Sequence, residues 1–301
     1  MNSLFWDLPS RSERPAILRK NAAIMAYLGR SCALPAVLVR PARFTAISFI
    51  LAGAGPSMSD EDLAVLADVV LFIFAVDDLV DESDLSIEDV SFRLGQYAAC
   101  AAGEEPPEVA MDPIASLLRS ISSRLRRGPL AASLWSQWTS RVRDMLAAMV
   151  EERRLSAALA AGAEPPGLAS YLEIARDTVG IAVVVMAAWL LLGEPAMADG
   201  WLDLHEAERH LSLAARLAND LRTHEREREE GAVNAVVIVG LAGVEGLRRR
   251  LATELAAGRS ILARRRAGTD RSARFLERSV SSVVSLYEEH DFHTIPEMLA
   301  A

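Results

Sequence analysis

Cysteine is nearly absent from this 301-residue chain: Cys32 and Cys100 are the two it has, and neither sits in a CxxC or other zinc-ligand spacing. That excludes a disulfide-stapled scaffold and a thiolate zinc site, and it points to a reducing compartment. An excess of basic charge is missing too. With 32 Lys and Arg against 41 Asp and Glu the formal charge is −9, which argues against a general nucleic-acid or anionic-membrane binder, because both need basic surface. Long apolar runs are also lacking: the most apolar segment, Ile181 to Leu192, is about 12 residues, short of the roughly 20 that cross a bilayer. The segment Met1 to Leu8 carries an early acid and no basic stretch ahead of a hydrophobic one, so it does not read as a secretion signal. The expectation is a soluble cytoplasmic protein with no integral membrane segment.

Aromatic residues make up only 6% of the chain, while 51% is hydrophobic and 24% charged, the balance of an ordinary globular protein. Apolar residues recur at helical spacing, and no convincing run of period-two alternation bounded by turns interrupts them, so the fold class reads as all-α. Pro and Gly breaks delimit ten expected helices, at about residues 11 to 29, 41 to 53, 59 to 82, 86 to 101, 113 to 126, 130 to 162, 168 to 192, 198 to 229, 233 to 266 and 269 to 290. Ser59 with Asp60, Glu61 and Asp62, and Ser86 with Glu88 and Asp89, supply caps and acids for two helix starts. No internal repeat or interdomain linker is apparent. Residues 1–301 therefore read as a single domain.

Against this plain background one junction stands out. The apolar stretch Val69 to Val76 runs directly into Asp77-Asp78-Leu79-Val80-Asp81-Glu82. On a helix, Asp77 and Asp81 are four apart and share one face, with Asp78 and Glu82 on the neighbouring stripe. Carboxylates abutting a core-facing segment call for a compensating cation, and two of them aimed at one spot suit magnesium. Taken alone, the cluster also reads as a solvated helix end.

A second polar element follows another apolar helical run, Leu211 to Ala218. Asn219, Thr223 and Glu227 fall at i, i+4 and i+8, so an amide oxygen, a hydroxyl and a carboxylate line one stripe over about two turns. All three are oxygen donors, as a second magnesium site requires.

Together these residues resemble the bacterial class I terpene synthases (terpene cyclases). In that family an aspartate-rich DDxxD element faces an NDxx(S/T)xx(K/R)E element across the cavity of a helical bundle, and three magnesium ions are held there with a prenyl diphosphate. Asp77 to Asp81 matches the first element and Asn219 through Arg226-Glu227 the second. The resemblance further implies Arg176 as a diphosphate sensor, Val179 as a linker and Gly180 as an effector in a helix break that lets a carbonyl point into the cavity. It departs from the family near the carboxyl terminus, where Leu286 stands in place of the arginine of an Arg-Tyr pair, Tyr287 matches the tyrosine, and Arg176 and Arg226 would then carry more of the diphosphate contact.

The implied reaction is magnesium-dependent ionisation of an allylic diphosphate and cyclisation of the cation, with release of pyrophosphate. The leaving group needs electrostatic stabilisation and the cation needs a dry cavity. Phe74, three positions before Asp77, and Trp189, after Gly180, are candidate aromatic walls for the cation, though both also read as ordinary core. The small-residue segment Ala182 to Ala188 and the low aromatic content suggest a roomy pocket and a C20 substrate, geranylgeranyl diphosphate, which makes the chain a diterpene synthase. The alternatives are a sesquiterpene synthase acting on C15 farnesyl diphosphate, a class I cyclase acting on a bicyclic diterpenyl diphosphate, and a non-catalytic helical binding protein. A chain-elongating prenyl diphosphate synthase fits less well, because it would carry carboxylates in place of Asn219 and Thr223. A homodimer is left open.

Overall fold

The structure, a computed structural model, describes residues 12–31, 40–82, 84–195, 197, 200–265, 270–290 and 292. The readings made for Met1 to Leu8 and for Cys32 lie outside the described residues. Among those described, the chain forms twelve α-helices and two single 3₁₀ turns, with no strand. In order they are α1 (Arg14–Ser31), α2 (Pro41–Ala54), α3 (Asp60–Glu82), α4 (Ile87–Ala102), α5 (Pro113–Leu125), α6 (Ala131–Ala160), α7 (Leu168–Thr178), α8 (Ile181–Leu192), α9 (Trp201–Glu230), α10 (Ala235–Val239), α11 (Val244–Arg264) and α12 (Arg271–Glu289).

Two expected helices are each divided. The segment expected as 168–192 bends by 40° between α7 and α8, and the segment expected as 233–266 divides into α10, a 3₁₀ turn at Leu241–Gly243, and α11. The second division falls at Gly240, whose φ of +68° and ψ of +169° interrupt the helical hydrogen-bond ladder where periodicity alone would continue it. The capping signals behave as their chemistry dictates. Ser59 and Ser86 accept the backbone N–H groups of Asp62 and Asp89 at 3.0 and 3.1 Å, and their hydroxyls donate to the carboxylates of those same residues at 2.7 and 2.8 Å.

Two helices organise the rest. Helix α3 packs against α1, α2, α5, α6 and α8, and its Leu63, Leu66, Val69, Phe72 and Val76 are completely buried. A helix apolar on all sides belongs at the centre of a bundle, and each such side chain contributes about 1.5 to 3 kcal/mol of burial free energy. One charge inside this region, Asp68, is paired: Tyr27 of α1 and Arg124 of α5 donate to it at 2.7 and 2.6 Å. Helix α9 is the second organiser, in contact with α7, α8, α10, α11 and α12. Apolar residues from Ile17 on α1 to Tyr287 on α12 form one core, and a smaller cluster joins α7, α9, α10 and α11. No single helix among the described residues is long and apolar enough to cross a membrane.

Helices α9 and α11 approach closely at Gly258. A Cβ there would stand 2.6 Å from Leu211 Cγ and 3.3 Å from the Ala207 carbonyl oxygen. Gly258→Ala is therefore expected to lower unfolding free energy by about 1 to 3 kcal/mol through overpacking, measured by urea denaturation, despite its gain in helix propensity. A raised midpoint would mean that the two helices can separate without cost.

Candidate active site

Helix α3 changes character along one stripe. Val70, Ile73 and Phe74 border an apolar cavity, and Asp77 and Asp81 continue the same face one and two turns further on. The end that carries the acids is braced by Arg153 of α6, whose guanidinium donates to the Val80 carbonyl and, at 2.6 Å, to the Leu85 carbonyl. These are orphan acceptors at and beyond a helix terminus, and a cation is their natural partner. Asp78 belongs to the other side of α3. It is buried and takes a bidentate pair from Arg43 of α2, Nη1 to Oδ2 and Nη2 to Oδ1 both 2.9 Å, while Arg40 lies 3.6 Å away. Asp78 is thus neither solvated nor free to turn to the Asp77 face.

The facing wall is α9. Asn219, Thr223 and Glu227 follow one another along it; Thr223 is buried and its hydroxyl donates to the Asn219 carbonyl at 2.8 Å. Glu227 is steadied by Asn234, a completely buried residue whose Nδ2 donates to Glu227 Oε2 at 2.8 Å and to the Asp220 carbonyl at 3.0 Å. The Asn234 Oδ1 accepts the Val236 N–H at 2.7 Å and so caps α10.

Between the two walls lies Arg216. Its Nη2 donates to Glu152 of α6 at 2.6 Å and to the Tyr171 hydroxyl, its Nη1 donates to Thr178 Oγ1 at 3.0 Å, and its Nε stands 2.8 Å from Asp220 in an ion pair. Tyr171 donates in turn to Asp220 at 3.1 and 3.2 Å. One cation therefore ties α6, α7 and α9 together directly beneath the oxygen-donor faces.

The two helices meet electrostatically through Glu227, one of the charges that raise Asp81. Burial, opposed by Arg43 and aided by Asp78 and Glu152, pushes the Asp77 carboxyl up to about 6. Burial and then the charges of Asp77, Glu152 and Glu227 push Asp81 up to about 8. Because the Asp81 side chain is open to solvent at the rim, the like-charge repulsion is the part of that rise that survives hydration. Asp220 is raised to about 7, first by burial, with Arg216 opposing. Carboxylates that resist ionisation because other carboxylates are near form a site for a cation. Among the described residues no three His, Cys, Asp or Glu side chains stand at metal-holding spacing.

The cavity below encloses about 650 Å³ of non-atom space, its open mouth included, and is walled by α2, α3, α8, α12 and the α7–α8 junction. Phe74 and Tyr287 border it, as does Val179. One face of Phe74 is covered by the Arg43 guanidinium, 4.4 Å from the ring centroid, and Phe292 lies 5.0 Å away. From the segment Ala182 to Ala188 the wall takes Val184, with Ile181 before it; Ala182, Val183, Val185, Met186, Ala187 and Ala188 are buried, so the expected small-residue wall is mostly core. Trp189 is likewise core. Its indole N–H donates to the Ser272 carbonyl at 3.1 Å and its ring meets Trp201 edge-on at 5.9 Å, which corrects the expectation that it borders the cavity.

Gly180 does occupy a helix break, with φ +72° and ψ −1°, and a Cβ there would stand 2.8 Å from Ile73 Cδ1. Its carbonyl accepts the Val183 and Val184 N–H groups, both at 3.1 Å, so it opens α8 instead of pointing into the cavity as expected. Arg176 chelates the adjacent Asp177 at 3.0 and 3.1 Å, and its other charge neighbours include Glu208 and Glu173. Arg226 pairs along its own helix, with Glu230 at 3.0 Å and Glu227 at 3.7 Å, and Leu286 packs in the core. The side chain of Glu82 lies outside the described residues.

Sequence reasoning missed Arg216, Glu152, Asp220, Asn234 and Arg43. For two of them a signal existed: Arg216 is the one charge in the run Leu211 to Ala218, and Arg43 is the one charge within α2. A lone charge amid apolar residues is buried only when paired. Glu152 sits inside the charge run Glu151 to Arg154, where nothing separates a solvated face from a site.

Comparison with known proteins places the chain in a family and a fold. Residues 68–255, more than half of the chain, match the family model described as Terpene synthase family 2, C-terminal metal binding. A (12E)-labda-8(17),12,14-triene synthase of Streptomyces cyslabdanicus is 28% identical over 221 residues, covering 71% of this chain and 64% of that protein, so the match spans less than two thirds of the curated relative. Among solved structures, linalool/nerolidol synthase from Streptomyces clavuligerus in complex with 2-fluorogeranyl diphosphate superposes with a TM-score of 0.66 at 20% identity over 91% of this chain and 94% of that one. The 2-methylisoborneol synthase of Streptomyces coelicolor A3(2), in complex with Mg2+ and geranyl-S-thiolodiphosphate, does so with a TM-score of 0.69 at 14% identity, over 91% and 90%. At these identities the likeness is one of fold.

Removing the Asn234 amide leaves the Val236 N–H and one Glu227 oxygen without that partner, and takes the second donor from the Asp220 carbonyl. Asn234→Ala is expected to cost about 2 to 4 kcal/mol of stability by denaturant titration, whereas a loss under about 0.5 kcal/mol would mean that water replaces the amide freely.

Proposed function

The chain belongs to the family Terpene synthase family 2, C-terminal metal binding, and from that membership we propose that it is a class I terpene synthase acting as a single catalytic domain on a C20 prenyl diphosphate. It ionises the allylic diphosphate, releases pyrophosphate and closes the hydrocarbon into a cyclic diterpene. The observation that carries this reading is the pair of oxygen-donor faces, Asp77 with Asp81 on α3 and Asn219, Thr223 and Glu227 on α9, sharing one electrostatic field above an apolar cavity.

The donor set fits magnesium. All its members are hard oxygens, and their failure to form a closed cage suits an ion that keeps water and substrate phosphate in its shell. Magnesium, when bound, supplies Lewis-acid stabilisation of the departing diphosphate. Asp77 and Asp81 hold one side of the cluster and the α9 stripe the other, with three ions expected by the family pattern. Arg176 and Arg226 turn from their present carboxylate partners to donate charge-assisted hydrogen bonds to the phosphate oxygens, and Tyr287 adds a hydroxyl from the cavity side. Arg216 keeps Glu152 and Asp220 neutralised, so the free carboxylates are those aimed at the ions. The apolar wall excludes water from the cation, and the Phe74 face not covered by Arg43 offers its negative quadrupole.

Geranylgeranyl diphosphate is the first substrate reading. A second is favoured by the Streptomyces cyslabdanicus relative, whose named product is a labdatriene: a bicyclic C20 skeleton supports a bicyclic diterpenyl diphosphate as the substrate of the same apparatus. The partner is thus a small diphosphate, and no nucleic acid is called for.

Purified protein with magnesium and linear C10, C15, C20 or bicyclic C20 diphosphates is expected to yield a C20 hydrocarbon in a hexane extract analysed by mass spectrometry. Turnover of the C15 substrate alone would move the reading to a sesquiterpene synthase, and no turnover of any would favour a binding protein. Asn219→Ala is expected to lower kcat by about 100-fold with an unchanged helical circular dichroism spectrum. Retained activity would remove Asn219 from the metal set.

A further inference from the structure

The cavity wall carries two polar side chains among its described residues, Ser279 and Tyr287. They lie on one stripe of α12, eight residues apart, so about 12 Å of helix separates them. Tyr287 is at the Phe74 level, since both rings pack on Phe292, at 5.7 and 5.0 Å. Ser279 lies two turns away from that level on the same cavity wall. Its side chain is 3% exposed, and its Oγ is buried with no hydrogen-bond partner. That is unusual for a hydroxyl on a helix, which normally returns to a carbonyl of the preceding turn. Thr223 and Thr253 do so here, at 2.8 and 2.9 Å. Ser122 and Ser272 also lack partners, but neither borders the cavity. A buried hydroxyl left unmade is costly, and the residue that carries this one lines the cavity, where a turn about χ1 would bring the oxygen to a ligand.

We propose that Ser279 is a specificity-determining residue: its oxygen stabilises positive charge at the end of the substrate remote from the diphosphate, and so selects among the products. This rests on the terpene synthase reading of the cavity. With the diphosphate at the Asp77 and Glu227 mouth, the hydrocarbon extends past Phe74 toward Ser279. Once ionisation and ring closure carry the charge to that end, aliphatic side chains offer it little, and in a low-dielectric pocket one oriented oxygen dipole counts for much. Ser279 takes no part in the bond changes. After the charge has moved back toward the mouth, the C–H bond beside the cation breaks, its electron pair becomes the alkene, and the proton passes to the pyrophosphate released there.

The test uses the full-length protein with magnesium and geranylgeranyl diphosphate, and in parallel a bicyclic C20 diphosphate, reading product ratio by gas chromatography and total pyrophosphate release separately. Ser279→Ala is expected to shift the ratio of the major hydrocarbon to the next about tenfold, with pyrophosphate release within about threefold of wild type. Ser279→Thr, which keeps the oxygen, is expected to hold the wild-type ratio within about twofold. Normal release with an unchanged ratio in Ser279→Ala overturns this inference alone. Loss of release together with loss of helical circular dichroism also overturns it, since Ser279 would then be structural. A wild-type protein that releases no pyrophosphate from either substrate overturns the parent reading and this one together.

Discussion

Four carboxylates, Asp77, Asp81, Glu152 and Glu227, share one electrostatic neighbourhood, and two buried cations, Arg43 and Arg216, are set against them. The rest of the structure can be read as the consequence of that imbalance. Like charges at close range in a partly dehydrated site raise one another's affinity for protons, and the arrangement persists only because packing enforces it. Helix α3 cannot swing its acids away, because it is buried on nearly all sides and its last turn is held by Arg153. Helix α9 cannot rotate, because Arg216 joins it to α6 and α7 at once. A surplus of negative charge of this kind suits a multivalent cation. A net charge of −9 and an anionic substrate are compatible on those terms.

The arginines divide between those buried against motif carboxylates and those paired beside them on their own helices. Arg43 and Arg216 are buried, each against a carboxylate of a motif, Asp78 and Asp220, that sits beside a donor face and points elsewhere. In each element the middle acid is thus committed to the fold. Arg176 and Arg226 are held by adjacent carboxylates on their own helices, Asp177 and Glu230, and pairs of that kind exchange readily for a phosphate. Leu286 takes an apolar core position, so the cation near the Asp-rich helix end comes from α2, not from the carboxyl-terminal helix.

Much of the fold was legible in the sequence because helical periodicity, caps and Pro or Gly breaks are local. The all-helical class and both serine caps follow from residues within a few positions of one another, whereas periodicity runs straight through 168–192 and only the family resemblance points to a break at Gly180. The division at Gly240 was not legible, since apolar spacing continues across it and only a backbone with positive φ interrupts the ladder. Within the site, the two oxygen stripes could be read because each lies on a single helix. Arg216, Glu152 and Asn234 could not be placed, because their roles exist only between helices. Trp189 illustrates the converse failure: aromatic spacing alone does not say which side of α8 meets the cavity, and its indole N–H found a carbonyl on α12 instead. The Gly180 carbonyl was misjudged for a related reason, since a residue that breaks one helix is often the cap of the next.

The central claim is that the α3 and α9 faces act as one divided clamp for divalent ions carrying a diphosphate. Isothermal titration of the protein with inorganic pyrophosphate, with and without Mg2+, tests it without any turnover. The account predicts binding only when Mg2+ is present, and its loss on either Asp77→Asn or Glu227→Gln alone, since the clamp needs both faces. Equal pyrophosphate binding without Mg2+, or full binding after either substitution, would contradict it.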